Sequence, residues 1–355
     1  MQIFKTRLGM NVVLGVFLMS TLLMVAGGIA QEPPDVAKIL FESDRKVKKN
    51  KDIYIMNADG TDVERITDHA KADISPTWSP DGTRFAMAAV RDDSWEHIRV
   101  LSALDREEDM ITITNGTRDL TPAWSPNGNW IACVHANVQD GWNFDVWIVR
   151  LQDEKKKMDA YKFGELGNGD ETDSFRLTKH SAQDESPAWS ADGLQIAWSS
   201  NRTGNYDIFV MDRTGGNKKN LTNHPKDDKG PDWQPPWGEK IVFASDRDGD
   251  SEIYTMDPNG GNVKQLTANV FVWDGQATWS PNGKEIAFAT NRDRNNEIYV
   301  MDANGNNLVN LTNNKGSDQS PAWFDPKIAF SVSPKTKRTV TWGAIKQSGR
   351  KRAEK

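Results

Sequence analysis

The sequence lacks the residues and motifs that most small exported folds and most enzymes depend on. Cys133 is the only cysteine, so no intrachain disulfide and no cysteine-rich zinc cage can form. There is no G-x-S-x-G nucleophile elbow, no G-x-x-x-x-G-K-[ST] phosphate loop and no H-E-x-x-H metal motif. The fold must therefore be held together by its core, and we expect a protein that is not an enzyme and needs no cofactor.

Strong net charge and long apolar runs are also scarce. The formal net charge is -6, which gives no global field for nucleic acid, so we expect no nucleic-acid partner. The one long apolar stretch lies within residues 1–30, after Lys5 and Arg7, and ends with small residues at Gly28 and Ala30. This pattern predicts a signal peptide over 1–30 and a periplasmic or secreted protein. An uncleaved membrane anchor is the alternative, and it is the only way in which we expect the chain to contact a membrane.

A tryptophan recurs in similar surroundings along the rest of the chain. The local sequences include SPTWSPDG, TPAWSPNG and SPAWSADG, and the repeated residues are Trp78, Trp124, Trp189, Trp233, Trp279 and Trp323. Neighbouring tryptophans are 44 to 46 residues apart, except for 65 between Trp124 and Trp189. Four of the five spacings match the length of a four-stranded propeller blade, about 40–45 residues. The long spacing predicts a mobile inserted loop at about 151–173.

Each repeat contains four short β-like runs separated by Asx-Gly turns, with no helical periodicity. The pattern predicts an all-β fold, a six-bladed β-propeller of four-stranded blades, over residues 38–345. The segment around Trp323 should supply the first strand for the three runs between Lys38 and Thr67, and this pairing would close the ring. Residues 327–345 leave a seven-bladed alternative open. Residues 31–37 are expected to be a short linker, and 346–355 a basic disordered tail.

The recurrence of P-x-W-S-P-D-G, S-x-R, I-Y-x-M-D and L-T resembles the propeller repeat of the TolB family, from Lys38 to about Pro326. The resemblance implies an exported propeller that binds a protein or peptide of the cell envelope as a scaffold. TolB also carries an α/β domain before its propeller, and only a few residues separate Ala30 from the first expected strand here. The particular role of TolB in its envelope system is therefore not implied. We expect a monomer.

Two sets of charged residues recur with the tryptophans. An aspartate lies five residues before each one, and arginines follow five second strands, so both sets should lie at one mouth of the central channel. The aspartates are Asp73, Asp119, Asp184, Asp228, Asp274 and Asp318, and the arginines are Arg45, Arg91, Arg202, Arg247 and Arg292. One interpretation is a ring of turn-capping carboxylates paired with arginines. The other is an acidic mouth that binds a cationic partner.

Histidines offer a weaker candidate site. His69, His180 and His224 occupy equivalent positions in three repeats, which resembles the arrangement of propeller-shaped oligogalacturonate lyases. The resemblance implies a metal-dependent carbohydrate lyase as the alternative function, although histidines in separate blades need not share an ion. We predict no metal site. Asp246, Asp248, Asp250 and Glu252 lack the spacing of a calcium-binding EF-hand and are predicted to form a hairpin turn.

Overall fold

The computed structural model of the protein describes residues 33–91, 94–103, 106–114, 118–137, 141–151 and 174–328. The predicted signal peptide, the insertion over 152–173 and the segment from residue 329 to the C-terminus lie outside the described residues. Within the described ranges, no helix has the length and hydropathy needed for a membrane span.

Six antiparallel four-stranded sheets make up the described chain. We number them as blades 1 to 6 and give their strands in hydrogen-bonded order. Blade 1 is β24 (Asp318–Phe324), β1 (Lys38–Val47), β2 (Asn50–Asn57) and β3 (Glu64–Arg65). Blade 2 is β4 (Asp73–Trp78), β5 (Arg84–Ala89), β6 (His97–Ser102) and β7 (Arg106–Thr112). Blade 3 is β8 (Arg118–Trp124), β9 (Trp130–Asn137), β10 (Asn143–Arg150) and β11 (Ser174–Arg176).

The other three blades repeat the same order. Blade 4 is β12 (Asp184–Trp189), β13 (Gln195–Ser200), β14 (Asp207–Asp212) and β15 (Lys219–Asn220). Blade 5 is β16 (Asp228–Trp233), β17 (Ile241–Ser245), β18 (Glu252–Met256) and β19 (Lys264–Gln265). Blade 6 is β20 (Asp274–Trp279), β21 (Glu285–Thr290), β22 (Glu297–Asp302) and β23 (Val309–Asn310). The prediction of a six-bladed propeller of four-stranded blades is confirmed.

The first strand of each blade contacts the first strands of both neighbouring blades, so these six strands line the central axis. Blade 1 is built from both ends of the described chain, because β24 pairs antiparallel with β1 from Ser43↔Asp318 to Lys38↔Phe324. The ring is therefore closed by strand pairing, and β24 covers the inner edge of β1.

The core lies between the blades. Each apolar cluster combines second and third strands of two neighbouring blades with one repeated tryptophan. Trp189, for example, packs with Val134 and Val146 of blade 3 and with Ile196 of its own blade. Five of the six repeated tryptophans are buried, whereas Trp323 is half-buried. Cys133 is fully buried in such a cluster, and burial raises the pKa of its thiol.

Candidate functional site

The six repeated aspartates lie at the start of the innermost strands, and none of them is exposed to solvent. Five of them form an ion pair with an arginine of the same blade, which follows the second strand in four blades and lies within β1 in blade 1. The pairs are Arg45–Asp318, Arg91–Asp73, Arg202–Asp184, Arg247–Asp228 and Arg292–Asp274, with N–O distances between 2.5 and 3.0 Å. The structure therefore brings the predicted aspartates and arginines together, blade by blade.

Each arginine is held on several sides at once, as Arg247 shows. Its Nη2 donates to both carboxylate oxygens of Asp228, and its Nε donates to Ser245 Oγ at 2.8 Å. Its guanidinium also lies over the rings of Phe243 and Tyr254, 5.5 and 4.7 Å from the two centroids. The repeated S-x-R motif and the paired aromatic residues thus form one structural unit, in which a buried carboxylate is neutralised and hydrogen-bonded.

Blade 3 replaces the arginine with two histidines. His97 Nδ1 of blade 2 and His135 Nδ1 of blade 3 contact the two oxygens of Asp119, at 3.2 and 2.8 Å. Burial raises the pKa of Asp119, but the hydrogen bonds from His135 and His97 outweigh that effect and hold the pKa below its ordinary value. The two imidazoles thus take the place that an arginine occupies in the other five blades. Neither histidine was predicted to belong to the ring.

A second set of buried polar residues lies at or near the start of the third strands, and only Glu252 among them was named from the sequence, as part of a hairpin turn. It consists of Asp52, His97, Asp145, Asp207, Glu252 and Glu297. In blades 3 to 6 these carboxylates hydrogen-bond the threonine of the Leu-Thr motif, as Asp145 does with Thr178 Oγ1 at 3.1 Å. The same hydroxyl accepts a backbone N–H from the third strand in every blade. The acidic residue directly before each I-Y-x-M run is the sequence feature from which this second set could have been predicted.

Burial raises the pKa of four carboxyl groups of this second set, namely Asp52, Asp145, Glu252 and Glu297. Burial and, to a smaller extent, the neighbouring Asp274 carboxylate together raise the pKa of Glu252 to about 7, against hydrogen bonds from Thr267 and Asn269. The side chains of Glu252 and Glu297 are buried and hydrogen-bonded to residues next to their own blades, so their raised pKa values follow from the fold.

The three aligned histidines lie in the links between blades. Each accepts a backbone N–H from two residues further on: His69 from Lys71, His180 from Ala182 and His224 from Lys226, at 3.0 to 3.2 Å. Among the described residues, they are not part of any cluster with the spacing of metal ligands.

The cluster that has metal-ligand spacing is Asp248, Asp250 and Glu252. It lies in and beside the turn between β17 and β18, which the sequence predicted as a hairpin. There Asp250 accepts the N–H of Val272, and Asp248 accepts from Gln265.

The opposite mouth of the channel holds a cavity, which we call the tryptophan cup. It has a volume of about 480 Å³ and lies where the innermost strands turn into the second strands. Tryptophans from five blades and prolines from the W-S-P turns line it: Trp78, Trp189, Trp233, Trp279, Trp323, Pro80, Pro126, Pro235, Pro236 and Pro281. Gly193, at φ 69°, lets one of these turns adopt the left-handed conformation that it needs. Trp237, in the same turn as Pro235 and Pro236, is 81% exposed.

Three carboxylates line the tryptophan cup, Asp192, Asp232 and Asp325, and the first strand of blade 5 supplies Asp232. The residue before the repeated tryptophan is threonine or alanine in the other five blades, so Asp232 breaks the symmetry of the ring. It accepts the N–H of Trp279 and the hydroxyl of Thr278, both at 2.9 Å. Burial raises its pKa to about 6, although these hydrogen bonds lower it. Asp232 therefore changes its charge near neutral pH.

These features define a closed six-bladed propeller with one mouth lined by tryptophans and prolines. The chain belongs to the TolB beta propeller domain family, whose sequence pattern matches residues 20–157 and 171–273. Its repeats were predicted to resemble that family, and this prediction is confirmed.

Individual relatives support the same assignment. The chain is 28% identical over 176 residues to the Protein TolB homolog of Chlorobium luteolum, a match that covers 50% of this chain and 34% of that protein. The chain thus spans about a third of the length of this curated relative. TolB from Acinetobacter baumannii superposes with a TM-score of 0.63 and 20% identity, over 83% of this chain and 68% of that one. A putative TolB from Agrobacterium tumefaciens gives 0.59 and 18%, over 81% and 98%. At these identities the solved structures show a shared fold.

Proposed function

We propose that this propeller is a non-catalytic binding module that holds a segment of a partner protein in the tryptophan cup. The observation that carries the proposal is the cup itself, an aromatic and proline-lined cavity of about 480 Å³ at the channel mouth. Protein interfaces are enriched in tryptophan, and their strongest contacts cluster in well-packed apolar pockets. The exposed Trp237 extends the same kind of surface beside the cup.

Asp232 gives the cup its selectivity. The lining also contains Asp192 and Asp325 but a single cation, Arg213, so a partner segment that combines apolar side chains with one cationic group fits best. The sequence of residues 1–30 supports export, and we propose that the partner is a protein or peptide of the cell envelope. The lyase alternative is not proposed, since the aligned histidines cap their own links.

Site-specific photo-cross-linking of the full chain tests this proposal. A photoreactive amino acid at Ala191, in the lining of the cup, or at Trp237 should capture the same envelope protein. The matched control is the same amino acid at Val270, which is 75% exposed in the link at the other end of the innermost strands. A partner captured from Val270 but from neither cup position would contradict the proposal.

The pH dependence of binding tests the role of Asp232. Because its pKa is about 6, the side chain is neutral below that pH and negatively charged above it. The affinity for a cationic partner should therefore rise as the pH increases from 5 to 7.5. Asp232→Asn should bind at a level that does not change over this range. An identical pH profile for the wild type and the variant would remove Asp232 from the site.

A further inference from the structure

A pocket of about 660 Å³ lies at the junction where blade 6 meets blade 1, beside the ion pair of Arg45 and Asp318. It is formed by the β1–β2 hairpin, the end of β3 and the link between β23 and β24. Four of its lining residues are cationic, namely Arg45, Lys46, Arg65 and Lys315. Asp68 is the one acidic residue in the lining, so we call this the basic pocket.

Buried contacts fix the two arginines of the basic pocket. Arg45 is bonded to Asp318 and Ser43 and lies over the rings of Phe41 and Tyr54, each 4.9 Å from the guanidinium carbon. Arg65 pairs with the buried Asp52 at 2.8 Å and with the exposed Asp68 at 2.7 Å. Their charges are thus offset by carboxylates, but the two guanidinium groups are fixed at the pocket wall before any ligand arrives, which lowers the entropic cost of binding.

The link that carries Lys315 is held equally firmly against the hairpin. The N–H of Ser317 donates to Asp44 Oδ1 at 2.7 Å. Gly316 allows this close approach, because a Cβ at that position would lie 2.6 Å from the Cα of Arg45. Lys315 and Lys46 therefore project from two segments that are tied together, and both side chains are exposed.

Lys46 and Lys315 have no structural role in the described part of the chain. No hydrogen bond or ion pair is formed there by the ammonium group of either one. Both lysines also differ from the residues at the equivalent positions of other blades. Where Lys46 follows Arg45, the equivalent arginines of blades 4, 5 and 6 are followed by Thr203, Asp248 and Asp293. The residue three before the repeated aspartate is Lys315 here, but Ala70, Ser181, Pro225 or Phe271 in four other links.

We propose that the basic pocket binds a ligand with phosphate-type oxyanions, of the size of a pyrophosphate or a phosphorylated headgroup. The two guanidinium groups are paired with Asp318, Asp52 and Asp68, whereas the two ammonium groups have no partner in the described part of the chain. The pocket therefore keeps a net positive charge, which an oxyanion neutralises with charge-assisted hydrogen bonds. The volume exceeds what a single small anion fills. This site lies at the opposite end of the strands from the tryptophan cup and does not depend on it.

Calorimetric titration of the full chain with inorganic pyrophosphate tests the proposal. Wild type should bind one pyrophosphate per chain, and Lys46→Gln with Lys315→Gln should weaken binding at least tenfold, about the worth of one charge-assisted hydrogen bond. The matched control is Lys48→Gln with Lys49→Gln, which removes the same charge from exposed positions of the same hairpin outside the pocket lining. If pyrophosphate binds in the pocket and is not merely attracted by a diffuse positive potential, that control should change the dissociation constant less than about twofold.

Equal weakening by the two double variants, or no binding by wild type, would overturn the proposal. Vesicles of phosphatidylcholine with and without phosphatidic acid separate the two sources of the oxyanion. Sedimentation with the phosphatidic acid vesicles that is lost in the Lys46 and Lys315 variant assigns the pocket to a lipid headgroup. Pyrophosphate binding without vesicle binding assigns it to a free phosphorylated ligand.

Discussion

The repeated aspartates take part in a buried hydrogen-bonded network at the scale of single residues. Each of the five arginine pairs joins a fully buried carboxylate to a partly buried guanidinium, and the guanidinium also contacts a hydroxyl or an aromatic face in most blades. Removing one partner of such a pair leaves an uncompensated buried charge, which is costly. The predicted recruitment of a cationic partner by these aspartates stays a prediction.

The double variant Asp184→Asn with Asp228→Asn separates the two interpretations. It leaves the guanidinium groups of Arg202 and Arg247 without a carboxylate, so the free energy of unfolding should fall by about 3 kcal/mol or more for each pair. Denaturant titration followed by tryptophan fluorescence measures this loss. Asp35→Asn with Asp62→Asn removes two exposed charges as a control and should have little effect.

Partner association completes that experiment. If the aspartates serve the fold, the folded double variant should associate with the partner at the wild-type rate. If the free energy of unfolding is unchanged but association becomes slower and salt-sensitive, the ring of aspartates instead attracts the partner electrostatically.

Every innermost strand contains the same bulge, a feature that belongs to the scale of the element. The residue two after each repeated aspartate has φ between 48 and 62°, although only blade 5 has a glycine there, Gly230. The register with the second strand shifts at this point. The freed amides turn to a neighbouring blade: Ser75 N–H donates to Glu42 and Gly230 N–H to Ser199. The bulges thus join blades as well as bending strands.

The repeated tryptophans should contribute most of the stability that arises between blades. Trp189 is buried among residues of blades 3 and 4, so Trp189→Ala should lower the free energy of unfolding by about 3–5 kcal/mol. Trp142→Ala is the control, because Trp142 is 40% exposed and stacks on Trp95 in the loops. It should cost much less. Equal losses for the two variants in a chemical denaturation experiment would refute the assignment of Trp189 to the interblade core.

Closure of the ring decides the stability of the whole molecule. Strand β24 covers the inner edge of β1, and its Phe324 packs against Trp78 of blade 2 with ring centroids 5.2 Å apart. The strand therefore holds blades 1 and 2 together as well as completing blade 1.

Truncation before Gln319 should abolish cooperative folding. It removes nearly all of β24 and exposes the edge of β1, so we expect insoluble or molten material with no sharp thermal transition. A chain that ends after Ile328 keeps β24 and is the matched control, which should remain monomeric with a sharp transition. A monomeric, sharply melting protein from the shorter chain would show that closure does not hold the ring together.

The sequence by itself determined the architecture, because each blade of a propeller repeats the same pattern at a regular spacing along the chain. The spacing of the tryptophans, the Asx-Gly turns and the incomplete first repeat were enough to predict six blades and the pairing of the two ends. The arginine and the aspartate recur at fixed positions within one repeat, so their pairing could be predicted from the sequence. It was one of two interpretations, the other being an acidic mouth that binds a cationic partner.

Only the tertiary structure decided which surfaces are available for binding. The predicted ring proved to be buried, and the tryptophan cup emerged at the other mouth, because a cavity depends on how six turns converge rather than on any one of them. The same holds for His97 and His135, which meet Asp119 from different blades, and for Lys46 and Lys315, far apart in sequence and adjacent at the closure. Periodicity encodes what every blade shares, whereas these sites arise where single residues depart from the repeat and the fold brings them together.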